Sequence, residues 1–384
     1  MAVLITIEDL RRRAKRRLPR AVFDFIDGGA EDELTLRRNH SAFEQITFRP
    51  RVLVDTRQRD QSTTVLGQPL TSPLILAPTG LCGMAASRGE ILAARASLNA
   101  GVIFTLSSMS AVSIEETARE VPGPHWFQLY VWRDRRLTQS LVERAAGAGY
   151  RAMVVTVDVP VLGQRERDLR NGATIPPRVT LRNAFDTVRR AGWLLGMLRN
   201  PRIDFVNVAR PDGGHGPLAL GPFVNSQFDP SVSWSDLAWF RSIWPGPLVL
   251  KGIMSAEDAQ RAVDHGVDAI VVSNHGGRQL DGLPAAIEVL PEVADAVGTN
   301  IEVLFDGGIR RGTDVVKALS LGARACMIGR PYLYGLGAAG QAGVERAVGI
   351  LRAEIDRAQA LLGRPTLADL DRRTVRLDSS WLRD

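Results

Sequence analysis

From about residue 73 onward one pattern recurs along the chain. A short apolar, often β-branched run leads into a turn, then into a stretch rich in Ala, Arg and Glu. The apolar runs 73–77, 102–106, 126–130, 152–157, 247–251, 269–272, 301–305 and 325–328 predict eight strands. Helix-sized segments at 87–100, 113–120, 137–148, 256–265 and 312–321 separate most of them. Strands that are apolar throughout belong to a parallel sheet covered on both faces. Eight such alternations predict an α/β fold, a closed (β/α)8 TIM barrel. The competing doubly wound sheet would carry a Gly-x-Gly-x-x-Gly turn after an early strand, and the chain has none there.

Two regions break the pattern. Residues 1–72 read as a helical lead-in and a hairpin of 48–54 with 62–66, an N-terminal cap expected at the barrel bottom. Residues 163–233, between the fourth and fifth strands, read as a lid or binding insertion, because so long an irregular connection is seldom idle. Both belong to one barrel domain spanning 1–384.

Composition adds limits more than identity. With 45% hydrophobic and 23% charged residues the chain can bury a large core. No run approaches the roughly 18–20 apolar residues of a membrane-spanning helix, and the N-terminus lacks the cationic start of a secretory signal. Cys82 and Cys326 stand far apart and in no metal spacing, so no disulfide or metal site is expected and a reduced, cytoplasmic setting follows. Much of the +6 formal charge lies in the basic run 11–17. Such a run can touch nucleic acid or anionic lipid. Thr6 with Asp9 as an N-cap signal and Pro19 as a terminator predict instead the exposed face of a short helix, with no nucleic-acid partner.

The chemistry gathers where the predicted strands end. In order, those ends carry Pro78-Thr79-Gly80, Ser107-Ser108, Gln128 with Tyr130, and Thr156 with Asp158. Lys251, Ser273-Asn274-His275, Asp306-Gly307-Gly308 and Gly329-Arg330 follow. Barrels of this kind hold their active sites at that end, and Gln128 and Lys251, inside strands, require buried partners. The loops 306–312 and 328–331 combine exposed glycine N–H groups with Arg310 and Arg330, which predicts a phosphate-bearing ligand. Lys251 needs an electron-rich partner, either phosphate, a cofactor ring or a structural ion pair. His275 is the candidate general base, with Asp158 orienting its ring. Arg278 and Arg165 can clamp a carboxylate. His40, His125, His215 and His265 read as structural or solvated.

These motifs resemble a known family. Ser273-Asn-His-Gly-Gly-Arg-Gln-Leu-Asp281, Asp306-Gly-Gly-Ile-Arg-Arg-Gly312, Trp126-Phe-Gln-Leu-Tyr130 and Val157-Asp-Val-Pro160 are similar to those of the FMN-dependent α-hydroxy-acid dehydrogenases and oxidases. The resemblance runs from about residue 18 to 363. Gly80-Leu-Cys-Gly-Met84 and Phe223-Val-Asn-Ser-Gln-Phe-Asp-Pro230 are most similar to the bacterial membrane-associated L-lactate and (S)-mandelate dehydrogenases. The resemblance implies oxidation of an (S)-2-hydroxy acid to the 2-oxo acid with FMN as cofactor. It implies His275 as base, Asp158 as the group that stabilises its imidazolium, Arg278 and Arg165 on the carboxylate, and Tyr130 near the reacting hydroxyl. Pro78, Thr79, Gly80, Ser107, Gln128, Thr156 and Ser273 would contact the isoalloxazine and ribityl groups, with Lys251 at the N1/O2 edge. Asp306, Gly307, Gly308, Arg310, Gly329 and Arg330 would take the ribityl chain and phosphate.

Phe25 departs from the family, which usually has a carboxylate-binding tyrosine there. Its loss implies weaker binding of small hydroxy acids or a larger, more apolar substrate. Gly80, where the oxidases often have alanine, implies a dehydrogenase passing electrons to a quinone or carrier rather than a soluble oxidase making hydrogen peroxide. Within 184–215, the segment 188–201 is apolar in the middle and flanked by arginines, which suits either an interfacial segment on an anionic bilayer or a lid helix packed on the barrel. A homotetramer is what the family implies.

Overall fold

The computed structural model describes residues 3–171, 181–199, 205–208 and 227–378, with side chains of 181–184 left aside. Three helices open the chain, α1 (Ile7–Arg17), α2 (Arg20–Asp27) and α3 (Leu34–Glu44), followed by the short strands β1 (Thr47–Phe48), β2 (Thr63–Val65) and β3 (Gln68–Leu70). Eight strands then follow in order: β4 (Leu74–Leu76), β5 (Ile103–Ser107), β6 (Trp126–Leu129), β7 (Ala152–Thr156), β8 (Leu248–Ile253), β9 (Ala269–Val272), β10 (Glu302–Asp306) and β11 (Ala325–Ile328). They pair in parallel and close on themselves, β11 onto β4 through Cys326–Leu74 and Met327–Ile75. The predicted (β/α)8 barrel is the observed one.

Alternation explains why the strands read as apolar throughout. One set of side chains, including Ile75, Trp126, Val154, Val249, Val271 and Met327, fills the barrel interior. The other set, including Phe104, Phe127, Val155, Val272 and Phe305, faces the surrounding helices. Those helices are α4 (Gly89–Ala100), α5 (Ile114–Glu120), α6 (Arg135–Gly147), then in the lid α7 (Glu166–Arg170), α8 (Leu181–Arg189) and α9 (Ala191–Arg199). Beyond it come α10 (Asp236–Ile243), α11 (Ala256–Asp264), α12 (Ala286–Val297), α13 (Gly312–Ser320), α14 (Arg330–Ala339) and α15 (Gln341–Leu362).

The lead-in differs from its expectation. The segment 48–54 is not a strand partner of 62–66; β2 pairs with β3, while β1 pairs with a C-terminal strand β12 (Val375–Arg376). Pro50 has no N–H for a ladder, and Leu53 adopts φ +60 with its side chain in solvent. The β2–β3 hairpin does close one end of the barrel, for Val65 and Leu70 join the interior cluster and Trp126 Nε1 donates to Gln68 Oε1 at 3.2 Å. The helices go to the other end: Ala30 N bonds Gly277 O at 2.8 Å, beyond the C-terminal end of β9.

Two further expectations change. Thr6 and Asp9 do form a capping box on α1, but the basic run is not merely a solvated face. Arg11 forms a two-pronged pair with the buried Asp27, and Arg17 donates to Ala338 O. The insertion 163–233 holds regular structure in α7, α8 and α9, whereas its parts 172–180, 200–204 and 209–226, with His215 and the first half of the 223–230 motif, lie outside the described residues. Among the described residues no helix is long and apolar enough to cross a membrane.

Candidate active site

The turn after β9 sets the centre of the site. His275, Gly276 and Gly277 take φ of +57, +63 and +72. Side chains at the two glycines would collide, at 2.8 Å from Arg330 Nη1 and 2.6 Å from Leu36 N respectively. For His275 a left-handed backbone costs about 1–2 kcal/mol. Local bonds offset it: Ser273 Oγ accepts from His275 N at 3.1 Å, and Asn274 Oδ1 accepts from Gly277 N at 3.2 Å. Asn274 is itself held by a reciprocal amide pair with Asn39 of α3, 2.9 Å in both directions and fully buried.

The ring of His275 is fixed from below. Its Nδ1 lies 3.0 Å and 3.2 Å from the two carboxylate oxygens of Asp158. A carboxylate only accepts, so Nδ1 carries the hydrogen, and in the neutral ring the lone pair is on Nε2. That nitrogen faces the cavity, 3.5 Å from Tyr130 Oη. Burial pushes the Asp158 carboxyl up, but His275 and Lys251 outweigh it and hold Asp158 below the usual carboxylate range. Tyr130 is pushed up to about 12 by burial and by the Asp158 charge, and it stays a donor at neutral pH. Close approach of Asp158 depends on Gly252, at φ +116 in a bulge of β8, where a Cβ would stand 2.6 Å from Asp158 Cβ.

The C-terminus of α2 builds the next wall. Phe25 points into the cavity with two guanidiniums over its ring, Arg278 at 5.1 Å and Arg165 at 5.8 Å from the centroid. Arg278 Nη1 donates to the carbonyls of Phe25 (2.8 Å) and Gly28 (3.0 Å), groups a helix end leaves without partners. Burial and the neighbouring Arg165 and Arg330 hold the pKa of Arg278 well below the usual guanidinium value. Cations brought together in this way are relieved by a bound anion. Asp168, buried on α7, lies 3.9 Å from Arg165.

The opposite wall gathers the predicted cofactor groups. Lys251 is 3% exposed, donates to Ser273 Oγ at 2.8 Å and pairs with Asp306 at 2.9 Å, yet it still lines the cavity. Burial alone would lower its pKa; Asp306 and Asp158 raise it, so the ammonium stays charged. Pro78, Thr79 and Gly80 line the same cavity with Gly307, Gly308, Arg310, Gly329 and Arg330. Ser107, Gln128 and Thr156 lie one layer below, in a buried relay with Ser107 Oγ donating to Gln128 Oε1 at 2.7 Å and Gln128 Nε2 to Thr156 Oγ1 at 2.9 Å.

Whether this wall suits FMN can be judged from its donors. Among the described residues Arg310 and Arg330 have no carboxylate at ion-pair distance. Gly329 caps α14 without a side-chain bond, so the Arg330 N–H that starts the helix, ahead of Pro331, is left without a side-chain cap beside the cavity. A Cβ at Gly329 would find its nearest neighbours at 3.9 Å, in space left beside Ala77 and Thr79. A phosphate fits the cationic, helix-capping end, and a polar ring edge fits Lys251. Arg330 also spends three donors on backbone, on Ile26 O (3.1 Å), Gly276 O (2.9 Å) and Gly28 O (2.8 Å).

The other histidines have different lives. His125 is buried with its Nε2 2.5 Å from Val121 O, His265 stacks on Trp234, and burial with Arg310 and Arg330 nearby pushes His40 down to about 3. Several residues of the site escape a reading by motif, among them Asn39, Gly252, Asp27 and the cavity-lining Phe205. Only the strand-end position of Gly252 carried any signal. Nothing in the sequence links Asn39 to position 274.

Comparison with known proteins agrees with the geometry. The family model described as FMN-dependent dehydrogenase matches residues 14–377. The chain is 48% identical to a putative L-lactate dehydrogenase of Mycobacterium tuberculosis, over 98% of this chain and 90% of that one. It is 46% identical to an L-lactate oxidase of a Nostoc species, over 96% of each. The crystal structure of a monotopic membrane protein, (S)-mandelate dehydrogenase, superposes with a TM-score of 0.94 at 40% identity, covering 98% of this chain and 100% of that one.

Proposed function

The chain belongs to the FMN-dependent dehydrogenase family and oxidises an (S)-2-hydroxy acid to the 2-oxo acid, and on that premise we propose how its own residues divide the work. FMN, when bound, would take up the two electrons and one of the two protons released as the carbinol carbon becomes a carbonyl. Arg165 and Arg278 hold the substrate carboxylate, which relieves the repulsion between them. Tyr130 donates to the substrate hydroxyl. His275 takes a proton from the substrate through Nε2, and Asp158 stabilises the imidazolium through Nδ1. Lys251 and Thr79 would hold the ring side of FMN, with Ser107, Gln128, Thr156 and Ser273 beneath them, while Gly308, Arg310, Gly329 and the α14 N-terminus would hold its phosphate. The observation that carries this reading is one cavity lined by a carboxylate-oriented histidine and by two arginines stacked on one phenyl ring.

Phe25, Phe205, Phe228 and Leu162 make the substrate end of the cavity apolar, which supports a side chain larger than methyl. Anaerobic mixing with a panel of 2-hydroxy acids tests this: flavin absorbance should fall with (S)-mandelate at lower concentrations than with L-lactate, and the reverse order would sink the preference. The acceptor is a quinone or carrier. An alanine Cβ at Gly80 would press on Met109 at 3.1 Å, so the chain keeps an opening there that the oxidase-type residue would narrow. Rapid oxygen uptake with peroxide release would overturn this reading in favour of an oxidase, the activity named for the Nostoc relative.

The enzyme is cytoplasmic and peripheral on the membrane. Phe185, Val188, Leu195 and Leu198 of α8 and α9 expose apolar side chains, while Trp193 anchors α9 by donating to Met84 O at 2.8 Å. Deletion of 184–215 should move the protein out of the membrane fraction; an unchanged distribution would count against the contact. The chain forms a homotetramer, for which the exposed apolar Val52, Leu53 and Leu361 offer contact surface, and a monomer in sedimentation velocity would overturn it.

A further inference from the structure

Asp27 is an unexpected residue where it stands. It is the last residue of the eight-residue helix α2, where a carboxylate faces the negative end of the helix dipole. It is also buried, at 6% exposure. Its partners come from three other helices: Arg11 of α1 through Nε (2.6 Å) and Nη2 (2.9 Å), Arg167 of α7 (3.2 Å) and Tyr334 Oη of α14 (2.7 Å). Each inner partner leads to one arm of the site. Arg167 is two residues from Arg165 of the carboxylate clamp, and it also pairs with Glu33, which accepts from Gly29 N. Tyr334 is one helical turn from Arg330, and the Arg310 guanidinium lies over its ring at 5.6 Å. The neighbouring Gly28 carbonyl accepts from both Arg278 and Arg330.

A helix as short as α2 does not hold its own position. Its terminal carbonyls stand where Arg278 and Arg330 need them because Asp27 is gripped from three sides. We propose that Asp27 is a positioning residue that couples the carboxylate clamp to the cofactor's phosphate arm, with Arg11 of the basic N-terminal run as its outer anchor. This rests on the reading of Arg165 and Arg278 as the clamp and of Arg310 and Arg330 as the phosphate arm. Burial would raise the Asp27 carboxyl, but the bonds from Arg11 and Tyr334 hold it far below the carboxylate range, consistent with a permanently charged hub.

The test compares holoenzymes of the natural chain, Asp27→Asn, Asp27→Glu and Arg11→Met in two measurements that need no turnover. One is the rate of FMN release on dilution, read by the recovery of free-flavin fluorescence. The other is the dissociation constant of phenylglyoxylate, read by the perturbation of flavin absorbance. Asp27→Asn should speed release and weaken phenylglyoxylate together, each by about 10-fold, the scale of one lost charged hydrogen bond. Arg11→Met should do the same by about 3-fold, half the free energy of that bond, and Asp27→Glu should recover part of both. A lower melting temperature with release and binding both within about 2-fold, less than one weak hydrogen bond, would reduce Asp27 to a structural role; a change in only one would refute the coupling. Should Asp27→Asn fail to fold, Arg11→Met, whose side chain is 32% exposed, decides by the same criteria. If no hydroxy acid reduces the natural enzyme, the activity fails while both readouts still judge Asp27.

Discussion

The turn at 273–278 and the end of α2 face each other across one cavity, and they are built on opposite plans. The turn is local: strand β9 delivers Ser273, Asn274, His275 and Arg278 within six residues, and two glycines bend it. The α2 end offers one phenyl ring and a few carbonyls, placed by Arg11, Arg167 and Tyr334 from distant parts of the chain. Chemistry can therefore be compact in sequence while its positioning is spread over the fold.

Breaking the local half should cost most. His275→Asn removes the proposed proton acceptor but keeps a small polar group, so kcat should fall about 10³-fold with FMN retained, as steady-state assay and flavin absorbance would record. Arg278→Met removes the proposed charged contact with the substrate and the bond to the Phe25 carbonyl, while Arg330 still serves Gly28 O. The expected rise in KM is about 10- to 100-fold, with kcat changing less. Asn39→Leu sharpens the comparison, since its side chain, on α3, hydrogen-bonds Asn274 of the turn and the Ala286 N–H. It should destabilise the protein by about 1–3 kcal/mol in chemical unfolding and lower kcat several-fold. An unchanged kcat would separate the amide pair from the geometry of His275. Phe25→Tyr is the mildest change: a restored hydroxyl should lower the KM for L-lactate by up to about 10-fold, and equal kinetics would assign the ring to stacking under the two arginines alone.

The pH dependence follows the same division. The pKa of Asp158 is depressed in the fold, so the stabilisation of its pair with His275 is fully present above the ordinary carboxylate pKa of about 3.9. It is lost only as pH falls below that value toward the folded one. Asp158 is therefore ionised from pH 6 to pH 9, and Asp158→Asn should lower kcat at both ends of that range. Tyr130, raised to about 12, stays protonated to well above pH 9, so Tyr130→Phe should give a pH-independent loss between pH 7 and pH 10.

What could be read in the sequence follows from these plans. Barrel strands are runs of residues buried on both faces, and a period of that kind needs no long-range knowledge to recognise. The polar residues at their ends, His275 and Lys251 above all, stand out because burial there demands partners. The segment 48–54 misled because β-branched residues fit a strand by composition, whereas Pro50 and the left-handed Leu53 exclude a ladder. Arg11 read as solvated because its neighbours Arg12 and Arg16 are exposed, and the carboxylate that claims it lies 16 residues away on another helix. Asn39 and Gly252 carry their roles only through contacts made in the folded chain.

The central claim is that His275, held by Asp158 and flanked by Arg165 and Arg278, initiates oxidation of an (S)-2-hydroxy acid by bound FMN. Anaerobic stopped-flow mixing of the natural enzyme and His275→Asn with (S)-mandelate and L-lactate tests it directly. The natural enzyme should lose its flavin absorbance with at least one of these acids, and His275→Asn, still yellow, should keep it. An unbleached natural enzyme, or a variant that bleaches as fast, would contradict the account.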